Sequence, residues 1–114
     1  MTPQALKAAA LALPGAALSI QWGDDRVYKV GGKMFAATDG AGSNLSLKVT
    51  DIAFEALTET GRARPAPYLA KSKGVRFDDA SALDDAEVAD WLKTAHALVS
   101  AKLTKAVKKE LGLV

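Results

Sequence analysis

Cysteine is absent from the 114-residue chain. That excludes disulfides, thiolate metal sites and a cysteine nucleophile, and it fits a cytoplasmic setting. Histidine occurs once, as His96, so neither a multi-histidine metal centre nor a histidine pair for acid–base work is available. No apolar run approaches the roughly 18 residues that a membrane-spanning helix needs. The stretch from Ala8 to Leu13 is far too short. The opening Met1-Thr2-Pro3-Gln4-Ala5-Leu6-Lys7 lacks the basic region and apolar core of a signal peptide. A soluble cytoplasmic protein is expected.

Hydrophobic residues make up 49% of the chain and charged residues 25%, the balance of a folded domain rather than a disordered tract. The length suits a single domain over 1–114, able to bury about two-thirds of its unfolded surface. A net charge of +2 is too small to demand a polyanionic partner, but its distribution is uneven. Residues 61–78 carry Arg62, Arg64, Lys71, Lys73 and Arg76 against Asp78. Residues 79–93 carry Asp79, Asp84, Asp85, Glu87 and Asp90 against Lys93. Residues 94–114 carry Lys102, Lys105, Lys108 and Lys109 against Glu110. Two basic segments flank an acidic one.

Thr2-Pro3 reads as a helix cap followed by proline in the first turn, with Leu6, Ala9, Ala10 and Leu13 at helical spacing after it. A helix over 3–13 is predicted, ended by Leu13-Pro14-Gly15. From Leu18 the period becomes two: Leu18, Ile20 and Trp22 alternate with polar residues as in a half-buried strand. Arg26 to Val30 and Lys33 to Thr38 form two strands around Gly31-Gly32, a hairpin signal because both positions tolerate positive φ. That loop sets Val30 opposite Lys33 and Tyr28 opposite Phe35. A fourth strand has Leu45, Leu47 and Val49 on one face, Ser46 and Lys48 on the other.

Thr50-Asp51 caps a second helix over about 51–60, with Ile52, Ala53, Ala56 and Leu57 inward. Arg62 to Pro67 reads as a loop, and Tyr68 to Ala70 and Val75 to Phe77 as short strands. The last helix starts at Asp84 or Asp85. Its stripe is Val88, Trp91, Leu92, Ala95, Leu98, Val99 and Leu103, with lysines at its C-terminal end. His96 falls beside that stripe, at the helix surface or its boundary. The order α-β-β-β-β-α-β-β-α predicts an α+β, two-layer fold, an antiparallel sheet covered by helices.

Gln21-Trp22-Gly23-Asp24-Asp25-Arg26-Val27-Tyr28-Lys29-Val30-Gly31-Gly32-Lys33-Met34-Phe35-Ala36 resembles the MmcQ/YjbR family. The likeness continues in Leu13-Pro14-Gly15, Leu47-Lys48-Val49, Arg64-Pro65-Ala66-Pro67-Tyr68-Leu69-Ala70 and the lysine-bearing helix around Leu98 to Lys105. The resemblance implies a CyaY/frataxin-like fold and DNA binding through a "double wing" of hairpins, with no reaction attached. One departure is Gly74, where many relatives have an aromatic.

DNA binding needs clustered lysines and arginines that displace phosphate counterions. Lys29, Lys33 and Lys48 come from adjacent strands; Arg64, Lys71, Lys73 and Arg76 lie on or beside the later loop. Trp22 and Tyr68 are candidates for stacking. The bland alternative is that these cations simply solvate an exposed face. Gly31-Gly32-Lys33 lacks the spacing of a phosphate loop. The acids Asp78, Asp79, Asp84, Asp85, Glu87 and Asp90 are explained by helix capping, so no metal is expected. Asp24-Asp25 is a turn, and the serines lie in no nucleophile context. The expectation is a DNA-binding protein, not an enzyme, without cofactor or membrane contact, a monomer whose partner is double-stranded DNA. The alternative is a protein- or small-molecule-binding module using a cleft near Trp22, Tyr28 and Tyr68.

Overall fold

Thr2 begins the first helix as its type requires. Its Oγ accepts a 3.1 Å hydrogen bond from the Ala5 amide, and α1 runs Pro3–Leu11. The computed structural model describes residues 1–21, 23–66 and 73–113. After α1 come β1 (Ala16–Gln21), β2 (Asp25–Val30), β3 (Lys33–Thr38), β4 (Leu45–Lys48) and α2 (Asp51–Glu59). The chain continues through β5 (Arg64–Pro65), β6 (Gly74–Phe77), a 3-10 turn (Ala80–Ala82), α3 (Asp85–Ser100) and α4 (Lys105–Glu110).

The strands form one antiparallel sheet in the order β1-β2-β3-β4-β6-β5. Helices pack on one face, the predicted α+β two-layer arrangement. Leu6 and Ala10 of α1, Leu57 of α2, and Val88, Leu92, Ala95 and Val99 of α3 meet Tyr28, Val30, Phe35, Leu45, Leu47, Val75 and Phe77 in the core. The segment around Arg64, read from sequence as loop, supplies a two-residue edge strand. There Pro65 leaves no ladder donor missing from the sheet interior.

The β2–β3 hairpin follows the expected turn but not the expected register. Val30 faces Lys33 across Gly31 and Gly32, whose φ values are 59° and 78°. The pairing then shifts between Tyr28 and Lys29, so Tyr28 faces Ala36, not Phe35. Phe35 and Ala36 are both fully buried, and two consecutive inward residues are what a bulge permits. The displaced Phe35 ring meets His96 edge-on, centroids 5.5 Å apart at 82°.

Four side chains depart from their predicted positions, and Ala56, expected inward on α2, is exposed. Ile52 is 83% exposed, because α2 turns Leu57, Ala53 and the larger Phe54 toward the core instead. Ile20 is 57% exposed, near the end of an edge strand and opposite Arg26. His96 is only 7% exposed. Its Nε2–H donates a 2.6 Å hydrogen bond to the Pro14 carbonyl, which satisfies a polar ring within the core boundary.

The last helix is two. At the end of α3 the Ser100 hydroxyl donates to the His96 carbonyl at 2.6 Å. Thr104 then caps α4, its Oγ accepting from the Val107 amide at 3.2 Å. Leu103 is buried as predicted, but from the turn between the helices. There it fills the space under Gly31, where a Cβ would come within 2.7 Å of its methyls.

Candidate functional site

Antiparallel pairing brings the end of β2, the start of β3, the end of β4 and the start of β6 to one end of the sheet. Lys33 therefore lies at the same end as Lys48, which pairs with Gly74, and Lys73 just before it. Lys29 sits one pair further in, beside Met34. α3 runs toward this end, so Leu98 and Lys102 reach it as well. Val107 of α4 packs with Leu103 against Gly31, which adds Lys105, Lys108 and Lys109 nearby.

The opposite end is acidic. Gly40 packs against Asp24 there, which joins the β1–β2 and β3–β4 turns. Asp39 accepts from the Ser43 amide (2.7 Å) and hydroxyl. These bonds, with others from the Gly42 and Asn44 backbone, outweigh partial burial and lower its pKa. Asp79 caps the 3-10 turn, and bonding from the Ser81 hydroxyl first of all lowers its pKa. Asp84 accepts from the Glu87 amide at 3.1 Å to start α3. Charge is thus segregated along the strand direction, and the α3 dipole has acids at its positive end.

At the basic end a groove of about 440 Å³ is lined by Lys48, Val49, Thr50, Asp51, Lys73, Leu98 and Lys102. Thr50 caps α2 by accepting from the Ala53 amide at 3.2 Å, so the first turn of that helix borders the groove. Lys73 has φ of 60°, rare outside glycine. Its carbonyl accepts from the Val49 amide at 3.0 Å, and its ammonium stands 5.0 Å over the Phe54 ring. Lys48 faces Lys102. The neighbouring Lys102 ammonium first of all, then partial burial, lowers the Lys48 pKa, and Asp51 opposes this. Among the described residues, none of these three lysines is within ion-pair distance of a carboxylate.

The arginines behave differently. Arg64 reaches Asp78 Oδ1 at 2.8 Å, and Arg76 Nε lies 3.3 Å from the same oxygen without hydrogen-bond alignment. Arg62 pairs with Glu87 at 3.4 Å and lies 5.6 Å over Trp91, which stacks on Phe77 at 4.7 Å. The cationic set expected to act together is therefore divided. Lys48 and Lys73 converge, Lys29 and Lys33 flank them on the hairpin, and Arg64 and Arg76 share a carboxylate at the β5–β6 edge. Lys71, Trp22 and Tyr68 lie outside the described residues. Tyr28 is sealed in the core, which removes it from any ligand cleft; burial raises its pKa against the pull of Arg26.

Lys102 is the residue that sequence reasoning missed. It looks like an ordinary C-terminal helix lysine, and nothing local in the sequence brings it beside Lys48. Among the described residues no three His, Cys, Asp or Glu side chains are grouped to hold a metal, and no helix is long and apolar enough to cross a membrane.

The crystal structure of Deinococcus radiodurans protein DR2400, which carries a DUF419 domain, is similar to this chain with a TM-score of 0.84 and 29% identity. The match covers 99% of this chain and 89% of that one. Comparison with curated proteins finds no match. A sequence model of the YjbR family matches residues 11–98, from the end of α1 through most of α3. With the resemblance spread over that span and the fold in agreement, the chain belongs to the YjbR family.

Proposed function

We propose that the chain is a DNA-binding module without catalytic activity, acting through the lysine-bearing end of its sheet. The observation that carries this reading is the convergence of Lys48, Lys73 and Lys102 on one groove with no ion-paired carboxylate among the described residues. Like charges held together cost energy in the free protein, and a phosphate backbone relieves that cost while releasing its own counterions. Lys29 and Lys33 on the β2–β3 hairpin extend the positive surface beyond the groove. The acids at the far end repel phosphate and favour one orientation of approach. Arg64 and Arg76, already matched to Asp78, are the least available of the cations.

A small-molecule module is the second reading, and one observation favours it. The groove's volume falls within the range of about 300–1,000 Å³ typical of ligand pockets. Fluorescence anisotropy with generic duplex DNA at two salt concentrations separates the readings. Engagement of about three to five phosphates gives a log–log salt slope of roughly −3 to −4.5. Failure to bind duplex at low salt removes DNA as the partner.

A further inference from the structure

We infer that the groove between β4, α2 and the end of α3 is a site for a phosphomonoester dianion, held by Lys48, Lys73 and Lys102 against the first turn of α2. The inference rests on the same convergence of lysines as the DNA-binding reading and names the chemical group they take.

Charge comes first. Three ammonium groups less the Asp51 carboxylate leave +2 around one small groove. A phosphomonoester carries close to −2 at neutral pH and balances it, whereas an internal phosphodiester brings only −1. Geometry agrees with charge. The three lysines come from three separate elements: the end of β4, the turn into β6 and the turn after α3. They line one groove from different sides of the chain, so a single terminal phosphate offers its three free oxygens to all of them. The Ala53 amide is already taken by the Thr50 cap, and the Asp51 and Ile52 amides at the start of α2 add donors of the right polarity.

The site is also held in place. Lys73 keeps a left-handed backbone conformation, fixed by the Val49 amide on its carbonyl, and its side chain rests on Phe54. A non-glycine residue held in that region is the kind of local strain found where a side chain must be aimed. Lys48 and Lys102 confront each other, and a dianion placed between them converts repulsion into two charge-assisted contacts.

The phosphate has two possible sources, a 5′-phosphorylated strand end or a small phosphorylated molecule. The test is an NMR titration of the intact chain with AMP, inorganic phosphate and adenosine, followed by anisotropy with one duplex carrying either 5′-phosphate or 5′-hydroxyl ends. AMP and phosphate are expected to shift the amides of Asp51 and Ile52, and adenosine to leave them unmoved. Lys102→Gln is expected to weaken AMP binding about tenfold, and Asp51→Asn to strengthen it several-fold, both with unchanged melting curves. Tighter binding of the 5′-phosphate duplex assigns the site to strand ends. Equal binding of the two duplexes while AMP binds assigns it to a small ligand. A chain that binds AMP but no duplex keeps the site and ends the DNA reading. Amides at 51 and 52 that stay unmoved by AMP and phosphate up to about 10 mM overturn the inference, whatever the duplex does.

Discussion

Lys48 at the end of β4 and Lys102 beyond α3 face each other across a groove in which, among the described residues, Asp51 is the only carboxylate lining the wall. The Lys48 pKa is lowered by the neighbouring Lys102 ammonium and by partial burial, so its folded value lies below the unfolded one. In the window between the two, the unfolded chain holds more protons, and stability rises with pH. An anion in the groove favours the charged form. Phosphate or DNA affinity is therefore expected to fall as pH rises through the depressed Lys48 value, with proton uptake on binding above it. Calorimetry in two buffers of different ionisation enthalpy measures that uptake, and Lys48→Gln should abolish its pH dependence.

His96 joins α3 to the turn before β1 through Pro14, and packs edge-on against Phe35. His96→Ala removes the ring and leaves the Pro14 carbonyl without its donor, at an expected cost of about 2–4 kcal/mol. His96→Gln, which keeps a donor, should cost about half as much. Urea unfolding of the two variants measures the difference.

Gly31 and Gly32 share positive φ but not surroundings. At Gly32 a methyl group meets open space, so Gly32→Ala is expected to cost about 1 kcal/mol through backbone strain. At Gly31 it meets Leu103 and Val107, and Gly31→Ala should cost about 2–4 kcal/mol and loosen α4. Hydrogen exchange at the α4 amides reads the second effect directly.

Much of the architecture is legible in the sequence because the relevant signals are local. Thr2, Thr50 and Asp84 announce their helices, and Leu45-Ser46-Leu47 alternates as a strand must. The errors arise where a distant contact decides. The Phe35 bulge answers to packing against His96, not to the hairpin turn. Ile52 faces out because Phe54 takes the inward position. The break before α4 had a local signal in Thr104, hidden by the apolar stripe that Leu103 prolongs. The candidate site was half visible. Its lysines at 48 and 73 stand out, but Lys102 and the pairing of Arg64 and Arg76 with Asp78 exist only in three dimensions.

Asp78 offers a contrast with Asp51. Its pair with Arg64 is exposed but the Arg76 Nε is sealed from solvent, so Asp78→Asn should cost about 1–2 kcal/mol. It frees two arginines at the β5–β6 edge, away from the groove. DNA affinity is expected to rise less than about twofold, against the several-fold gain in AMP affinity expected from Asp51→Asn. Parallel titrations of the two variants check this.

Two double variants with the same net charge test the lysine groove most directly. Lys48→Gln/Lys73→Gln and Arg64→Gln/Arg76→Gln each remove two positive charges, so long-range attraction to DNA falls equally in both. Duplex titrations at two salt concentrations should show the lysine variant at least about tenfold weaker, its salt slope smaller by roughly two, and the arginine variant within about threefold of the parent. An arginine variant that loses as much affinity as the lysine variant, or more, would contradict the assignment of phosphate contact to the groove.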